Sequence, residues 1–283
     1  MWFSSFKSIE RAFGLAGLLM VIFAISAFVL HPDWGEVFKG IIPGTAHPNT
    51  SQSSLYWYFA VGIFSAMLMA YEVHFYSSGA IEEDWKSKEL GENLMVASVG
   101  SILGCLVSAA LVILGALVFL PRRIFPELLS TTIWAGSLPF GRKALIIAIC
   151  GTVACIAGAA IETTFACAYN VCQFFNFAWG KNRPAREVPI FTATWIITLT
   201  LAFLIALTGA GPFVLVDISI VFGMAIMPFT YYPILRAAAD RNVMGKYVSG
   251  KLQTIAGAVF LVLIAAAAVA AIPLMIATHA GRP

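Results

Sequence analysis

Charge is what this chain has least of. Lysine and arginine number 17 and aspartate and glutamate 14 in 283 residues, so only 11% of the sequence is charged. Soluble domains carry about 25%. A net charge of +3, with its basic residues in loops between apolar runs, makes no nucleic-acid surface. Cysteine pairs at metal or redox spacing are missing too. Cys105, Cys150, Cys155, Cys167 and Cys172 contain no C-x-x-C, which excludes a zinc ribbon or a thioredoxin-type centre. All five fall in apolar stretches and read as small packing residues, not disulfide partners. No nucleophile–base pair or phosphate loop stands out, so the chain is not expected to be an enzyme. It lacks a low-complexity segment and a separate soluble domain. No cleavable signal is expected: the amphipathic start MWFSSFKSIER leads into an apolar run long enough to span a membrane.

Hydrocarbon fills the space that charge leaves. Hydrophobic residues make up 60% of the chain, and mean hydropathy is +0.89. Several runs reach the roughly 20 apolar residues that cross about 30 Å of bilayer core. The spacing predicts an all-α polytopic membrane bundle of seven spans, near Ala12–Leu30, Leu55–Tyr76, Leu94–Leu120, Ala144–Phe177, Pro189–Leu207, Pro212–Leu235 and Leu252–Thr278. Pro32 ends the first of them, because proline disfavours helix at the residue before it. Trp34–Ser54 reads as a polar external loop, and Ile124–Leu138 as a short amphipathic piece lying in the interface. The alanine- and valine-rich last span reads as a lipid-facing support. Eleven basic residues fall on one side and six on the other, which predicts the N-terminus in the cytoplasm and the C-terminus outside. The expected location is the cell membrane, plasma or inner, with lipid as the first partner.

The chain is organised around Gly62–Asp84, GIFSAMLMAYEVHFYSSGAIEED. It starts as a membrane span and then admits Glu72 and His74. An ionisable residue inside a span costs about 2.5–3.5 kcal/mol on insertion scales, so it faces protein or water. On an unbroken helix Ser65, Met69, Glu72 and Tyr76 share one face. A thioether, a hydroxyl, a carboxylate and backbone carbonyls make a transition-metal site, or else a packed helix with one satisfied polar pair.

Three stretches carry a family resemblance. IERAFGLAGLLMVIFAISAFVLHPDWG resembles the fifth transmembrane segment of the natural resistance-associated macrophage protein (Nramp) family of divalent-metal transporters. The central stretch is similar to that family's sixth segment, with Ala66, Met69 and Ser77 at the family's Ala, Met and Ser. Ala70 replaces the family proline, and Tyr71 and Tyr76 replace its two histidines. MPFTYYPILRAAADRNVMGKY resembles the tenth segment, with Ile220 at the position of a metal-site glutamine.

The resemblance implies the C-terminal part of a LeuT-like inverted-repeat transporter. Residues 1–283 then form a single transmembrane domain. Residues 1–54 hold the last helix of a first repeat and a loop, 55–236 the second repeat, and 237–283 an additional helix. The implied substrate is a divalent ion like Mn²⁺ or Fe²⁺, with no permanently bound cofactor. Ala66 would offer a carbonyl, Met69 a thioether and Glu72 a carboxylate. The family's Asp-Pro-Gly-Asn break is not in this sequence, so the remaining ligands are expected from another chain or an upstream segment. The alternative is a non-transporting membrane subunit or a truncated remnant. Proton coupling by the two family histidines does not carry over. Without an opposite repeat, and with Ala70 in place of proline, the second span is expected to stay continuous.

Three further ionisable groups are candidates for coupling. His74 reads as a proton relay or a satisfied interior histidine. Asp217 reads as a group in a wet external vestibule. Glu162 follows Ala154 and Gly158 at steps of four, so a small-residue groove leads to a carboxylate with nothing basic near it in its own helix. It reads as a proton acceptor or a hydrogen-bonded structural group. Asn170, Gln173 and Asn176 read as interfacial hydrogen-bonders, and Met224 and Met227 as core.

Overall fold

The computed structural model describes residues 6–42, 50–124, 126, 128–209 and 211–281. Among them twelve α-helices follow one another and no strand occurs: α1 Phe6–Gly17, α2 Val21–Val29, α3 Trp34–Lys39, α4 Thr50–Ala66, α5 Ala70–Glu82, α6 Leu90–Leu114, α7 Leu129–Ser137, α8 Arg142–Phe174, α9 Pro189–Leu207, α10 Pro212–Ala239, α11 Arg241–Met244 and α12 Lys251–Ala277. Seven helical runs are long and apolar enough to cross a membrane: Ser8–Val29, Ser53–Glu82, Ser87–Arg122, Arg142–Phe174, Pro189–Leu207, Pro212–Ala239 and Lys251–Ala277. The all-α bundle of seven spans read from the sequence is therefore the observed one. Two contacts agree with the count. Glu82 accepts hydrogen bonds from Lys181 and Asn182 with two spans lying between them. Gly281 stands against Phe59 and Tyr58, so close that a Cβ there would come within 3.0 Å of both rings. An even number of crossings separates each pair, as a shared face requires.

The chain divides into two compact units that interleave in sequence. One comprises Met1–Ile42 and His74–Ile205, the other Pro43–Val73 and Ala206–Pro283. In the first, α1 and α2 form one rod through a 3₁₀ turn at Leu18–Met20, and Asp33 caps α3 by accepting from the N–H groups of Gly35 and Glu36. Phe23, Ala27, Ala110, Leu114, Ile133 and Ala148 form a core between α2, α6, α7 and α8. α7 is a packed element, not a surface piece: Ile133, Ala135, Gly136 and Ser137 are buried, and the Ser26 hydroxyl donates to the Gly136 carbonyl. The small-residue stripe on α8 serves α1–α2. Thr152 reaches the Met20 sulfur, and Gly151 lets the Leu19–Met20 backbone come within contact. A second core gathers Phe165, Ala168, Tyr169, Cys172, Val188 and Phe191, with Phe75 and Trp179 against it. Among the cysteines only Cys172 is buried; Cys105, Cys150 and Cys155 are exposed, and all five are free thiols.

The other unit packs α4, α10 and α12 around Tyr58, Val221, Met224, Met227, Ile264 and Ala271. Met224 and Met227 are core, as read. The last span keeps an exposed apolar face, with Val259, Val262 and Val269 on it, and packs through the other. α12 packs against both α10 and α4, with Ile264 and Ala271 buried. Its small residues permit that approach: Gly257 faces Leu235 and Tyr231 of α10.

Candidate metal site at a broken helix

The second span is not continuous. α4 ends at Ala66, α5 begins at Ala70, and Met67–Met69 between them are unwound. The expectation of an unbroken helix is overturned, and so is the single face joining Ser65, Met69, Glu72 and Tyr76. No glycine or proline breaks the chain there; contacts from α10 hold it. The buried Ser65 hydroxyl donates to the Ile220 carbonyl at 2.8 Å. On the other side of the break the Met69 sulfur lies beside Gly223, 3.6 Å from where a Cβ would stand. These contacts override the helical preference of Met-Leu-Met.

Unwinding changes what the backbone offers. Met67 N–H donates to Ile63, Leu68 N–H to Ser65 and Glu72 N–H to Met69. Among the described residues no backbone N–H donates to the carbonyls of Ala66, Met67 or Leu68. Free carbonyls at membrane depth occur where protein or a water-filled cavity covers them. A cavity of about 160 Å³ lies there, lined by Tyr58, Gly62, Ser65, Ala66, Asp217, Ile220 and Met224 among others. It is large enough for several waters. The Tyr58 phenol and the Asp217 carboxylate interact within it.

The structure thus brings Ala66 and Asp217 to one cavity, with Met69 at the adjoining turn. Glu72 is exposed on the first turn of α5. A carboxylate is favoured there by the helix N-terminus, about 0.3–1 kcal/mol, whether or not it meets a metal. His74 is half-buried and belongs to the first unit, as does Glu162. Glu162 is half-buried and engaged by its surroundings. Among the described residues no three of His, Cys, Asp and Glu come together as a metal cluster. The geometry therefore supplies carbonyls, the Met69 thioether at the turn, Met224 in the cavity lining and one cavity carboxylate, Asp217.

Tyr58, the Ile220 carbonyl and Gly223 escaped the sequence reading. Tyr58 and Gly223 carry no motif, and the Ile220 carbonyl is backbone, which no sequence pattern announces. Gln173 is a hydrogen-bonder as read, donating to the Ser78 hydroxyl at 3.0 Å.

Two curated relatives share the sequence pattern. A divalent metal cation transporter MntH of Deinococcus radiodurans is 24% identical over 273 residues, covering 92% of this chain and 58% of that protein. A divalent metal cation transporter MntH of Bacillus subtilis is 24% identical over 275 residues, covering 92% of this chain and 60% of that protein. The chain thus spans about three-fifths of the length of these relatives. The profile of the natural resistance-associated macrophage protein-like family matches residues 1–273. With nearly its whole length inside that match, the chain belongs to the natural resistance-associated macrophage protein-like family.

Proposed function

We propose that the chain carries divalent metal cations across the cell membrane, as part of a larger transporter. The observation that supports this most directly is the unwound turn at Met67–Met69, with carbonyls that no backbone N–H meets among the described residues, beside a thioether and a small, largely apolar cavity that Tyr58 and Asp217 also line. In this reading the Ala66 carbonyl and the Met69 sulfur bind an ion like Mn²⁺ or Fe²⁺ as substrate. Glu72 adds a carboxylate that also admits harder ions. No step requires a bound cofactor or a covalent intermediate. Divalent manganese or iron takes more ligands than these, so further helices, from another chain or an upstream segment, complete the site. The division into the end of one repeat, a second repeat and an added helix belongs to this proposal. The test is radiotracer Mn²⁺ uptake into vesicles holding this chain alone and the chain with the complementary segment. Uptake is expected only with both, and strong uptake by the lone chain refutes the half-site reading.

His74, Glu162 and Asp217 are proposed to serve coupling. Glu162→Gln is expected to fold normally and to change the pH dependence of uptake by the complete transporter. An unchanged pH profile makes Glu162 a structural group.

The basic residues orient the protein with its N-terminus inside and its C-terminus outside. Reporter fusions at the first residues and at Gly281 are expected to label opposite faces. Both reporting the same face contradicts the topology.

A further inference from the structure

The cavity beside the unwound turn has a second end, which the turn does not use. Its whole lining belongs to one compact unit. Along α10 it runs from Asp217 through Ile220 to Met224, a single helical face. Along α4 it runs from Tyr58 through Gly62 to Ala66. At 1.5 Å per residue these stretches are about 10 Å and 12 Å long. Bonds from a divalent ion to oxygen are only about 2.0–2.6 Å, and an aspartate carboxylate stands close to its backbone. An ion on the Ala66 carbonyl therefore does not reach Asp217.

Most of the lining is apolar, and at the Asp217 end two oxygen groups interrupt it. The Tyr58 phenol donates a hydrogen bond to the Asp217 carboxylate. That phenol is held in place. Tyr58 is 6% exposed and packs in the core with Val221 and Met224. The turn after α12 closes on it as well, since a Cβ at Gly281 would stand 3.0 Å from the Tyr58 ring. The carboxylate is less well provided for. It has about four acceptor positions, and the phenol fills one of them without cancelling the charge. Among the described residues no Lys, Arg or His makes a salt bridge to Asp217. A carboxylate inside a span is costly unless a partner or water compensates it, which is why such groups mark ion paths. The cavity, at about 160 Å³, holds an ion together with part of its water.

We propose that Asp217, with Tyr58 beside it, forms a second cation subsite, where a partly hydrated divalent ion rests on the carboxylate about 10 Å from the unwound turn. Oxygen donors of this kind suit Mn²⁺, Mg²⁺ and Ca²⁺ alike. The Met224 and Met69 thioethers belong to the other end. The cavity thus has a hard end and a soft end, and selection among ions falls to the soft one. That the ion passes from one end to the other rests on the transport reading above; binding at Asp217 does not.

Both groups belong to this chain, so the test uses the whole chain in detergent micelles, titrated with Mn²⁺ and followed by loss of the free-ion EPR signal. Wild type is compared with Asp217→Asn, Tyr58→Phe and Met69→Ala, each normalised to folded protein by its thermal transition. Asp217→Asn is expected to weaken one bound Mn²⁺ at least about tenfold, the lower end of what losing even an outer partner of a metal ligand costs. Ca²⁺ displaces that same ion from wild type. Tyr58→Phe keeps the ring packing and removes the orienting hydroxyl, so it weakens the ion less. Met69→Ala leaves it bound. Equal Mn²⁺ binding by wild type and Asp217→Asn overturns the subsite. If Met69→Ala and Asp217→Asn lose the same ion, there is a single site at the turn and the proposal falls. Should Asp217→Asn fail to fold, Tyr58→Phe decides, and unchanged binding there overturns the subsite. Uptake by the chain with its complementary segment separates the two claims. Binding that depends on Asp217 without any Mn²⁺ uptake keeps the subsite and overturns the transport reading. Uptake with binding indifferent to Asp217→Asn does the reverse.

Discussion

Replacing Met69 by alanine is expected to weaken Mn²⁺ handling by the complete transporter at least about tenfold, roughly 1.4 kcal/mol of binding. The sulfur sits at the edge of the unwound turn, held against Gly223 of α10, and alanine removes the thioether the turn holds there. The loss should depend on the ion. Thioether donors favour softer metals and add little for Mg²⁺ or Ca²⁺, which oxygen ligands satisfy. Competition assays should therefore find the variant less able to tell Mn²⁺ from Ca²⁺, while total protein in the membrane is unchanged. Mn²⁺ uptake that ignores Met69→Ala would move the site elsewhere, and Glu72, on the first turn of α5, is then the next residue to substitute.

Gly151→Leu is expected to destabilise the first unit by the upper part of the 1–3 kcal/mol typical of overpacking. A Cβ at Gly151 would stand 3.0 Å from the Leu19 Cβ and 3.0 Å from the Met20 backbone nitrogen. A flexible side chain can swing aside; the backbone of a neighbouring rod cannot, so the α1–α2 rod must separate from α8. Gly158 lies two turns further along the same stripe, and there an added Cβ meets only Phe13 at 3.8 Å. Gly158→Ala should accordingly leave the thermal midpoint in detergent close to wild type while Gly151→Leu lowers it by several degrees. Equal behaviour of the two variants would mean that the stripe is not a close-packing seam.

The spans were legible because a bilayer demands length and apolarity, and both are written along the chain. The family was legible from three segments whose residues stand in register. The break after Ala66 was not. Met67, Leu68 and Met69 are ordinary helix formers, and what unwinds them is a hydroxyl–carbonyl bond from Ser65 to Ile220 together with the open face of Gly223. Neither has a signature near residue 67. The packed face of α12 was hidden for a related reason. An alanine run looks like a lipid-facing surface until its partner is known, and small side chains equally permit tight helix packing. Nothing in the acidic run Glu82-Glu83-Asp84 announces its partners; only the fold brings Tyr169 and Lys181 to it.

The interleaving of the two units has a consequence for how the protein is made. Ser65 leaves the ribosome 155 residues before Ile220, the group it must bond. At the usual 5–20 residues per second this is a wait of roughly ten to thirty seconds. Throughout it, α4 lies in the bilayer with neither α10 nor α12 yet synthesised, while α1, α2, α6, α7 and α8 already have one another. The first unit can mature early; the α4–α10–α12 unit is a late assembly closed by the final helix. The polar groups around residue 65 are therefore the ones a membrane insertase or chaperone has to shelter longest.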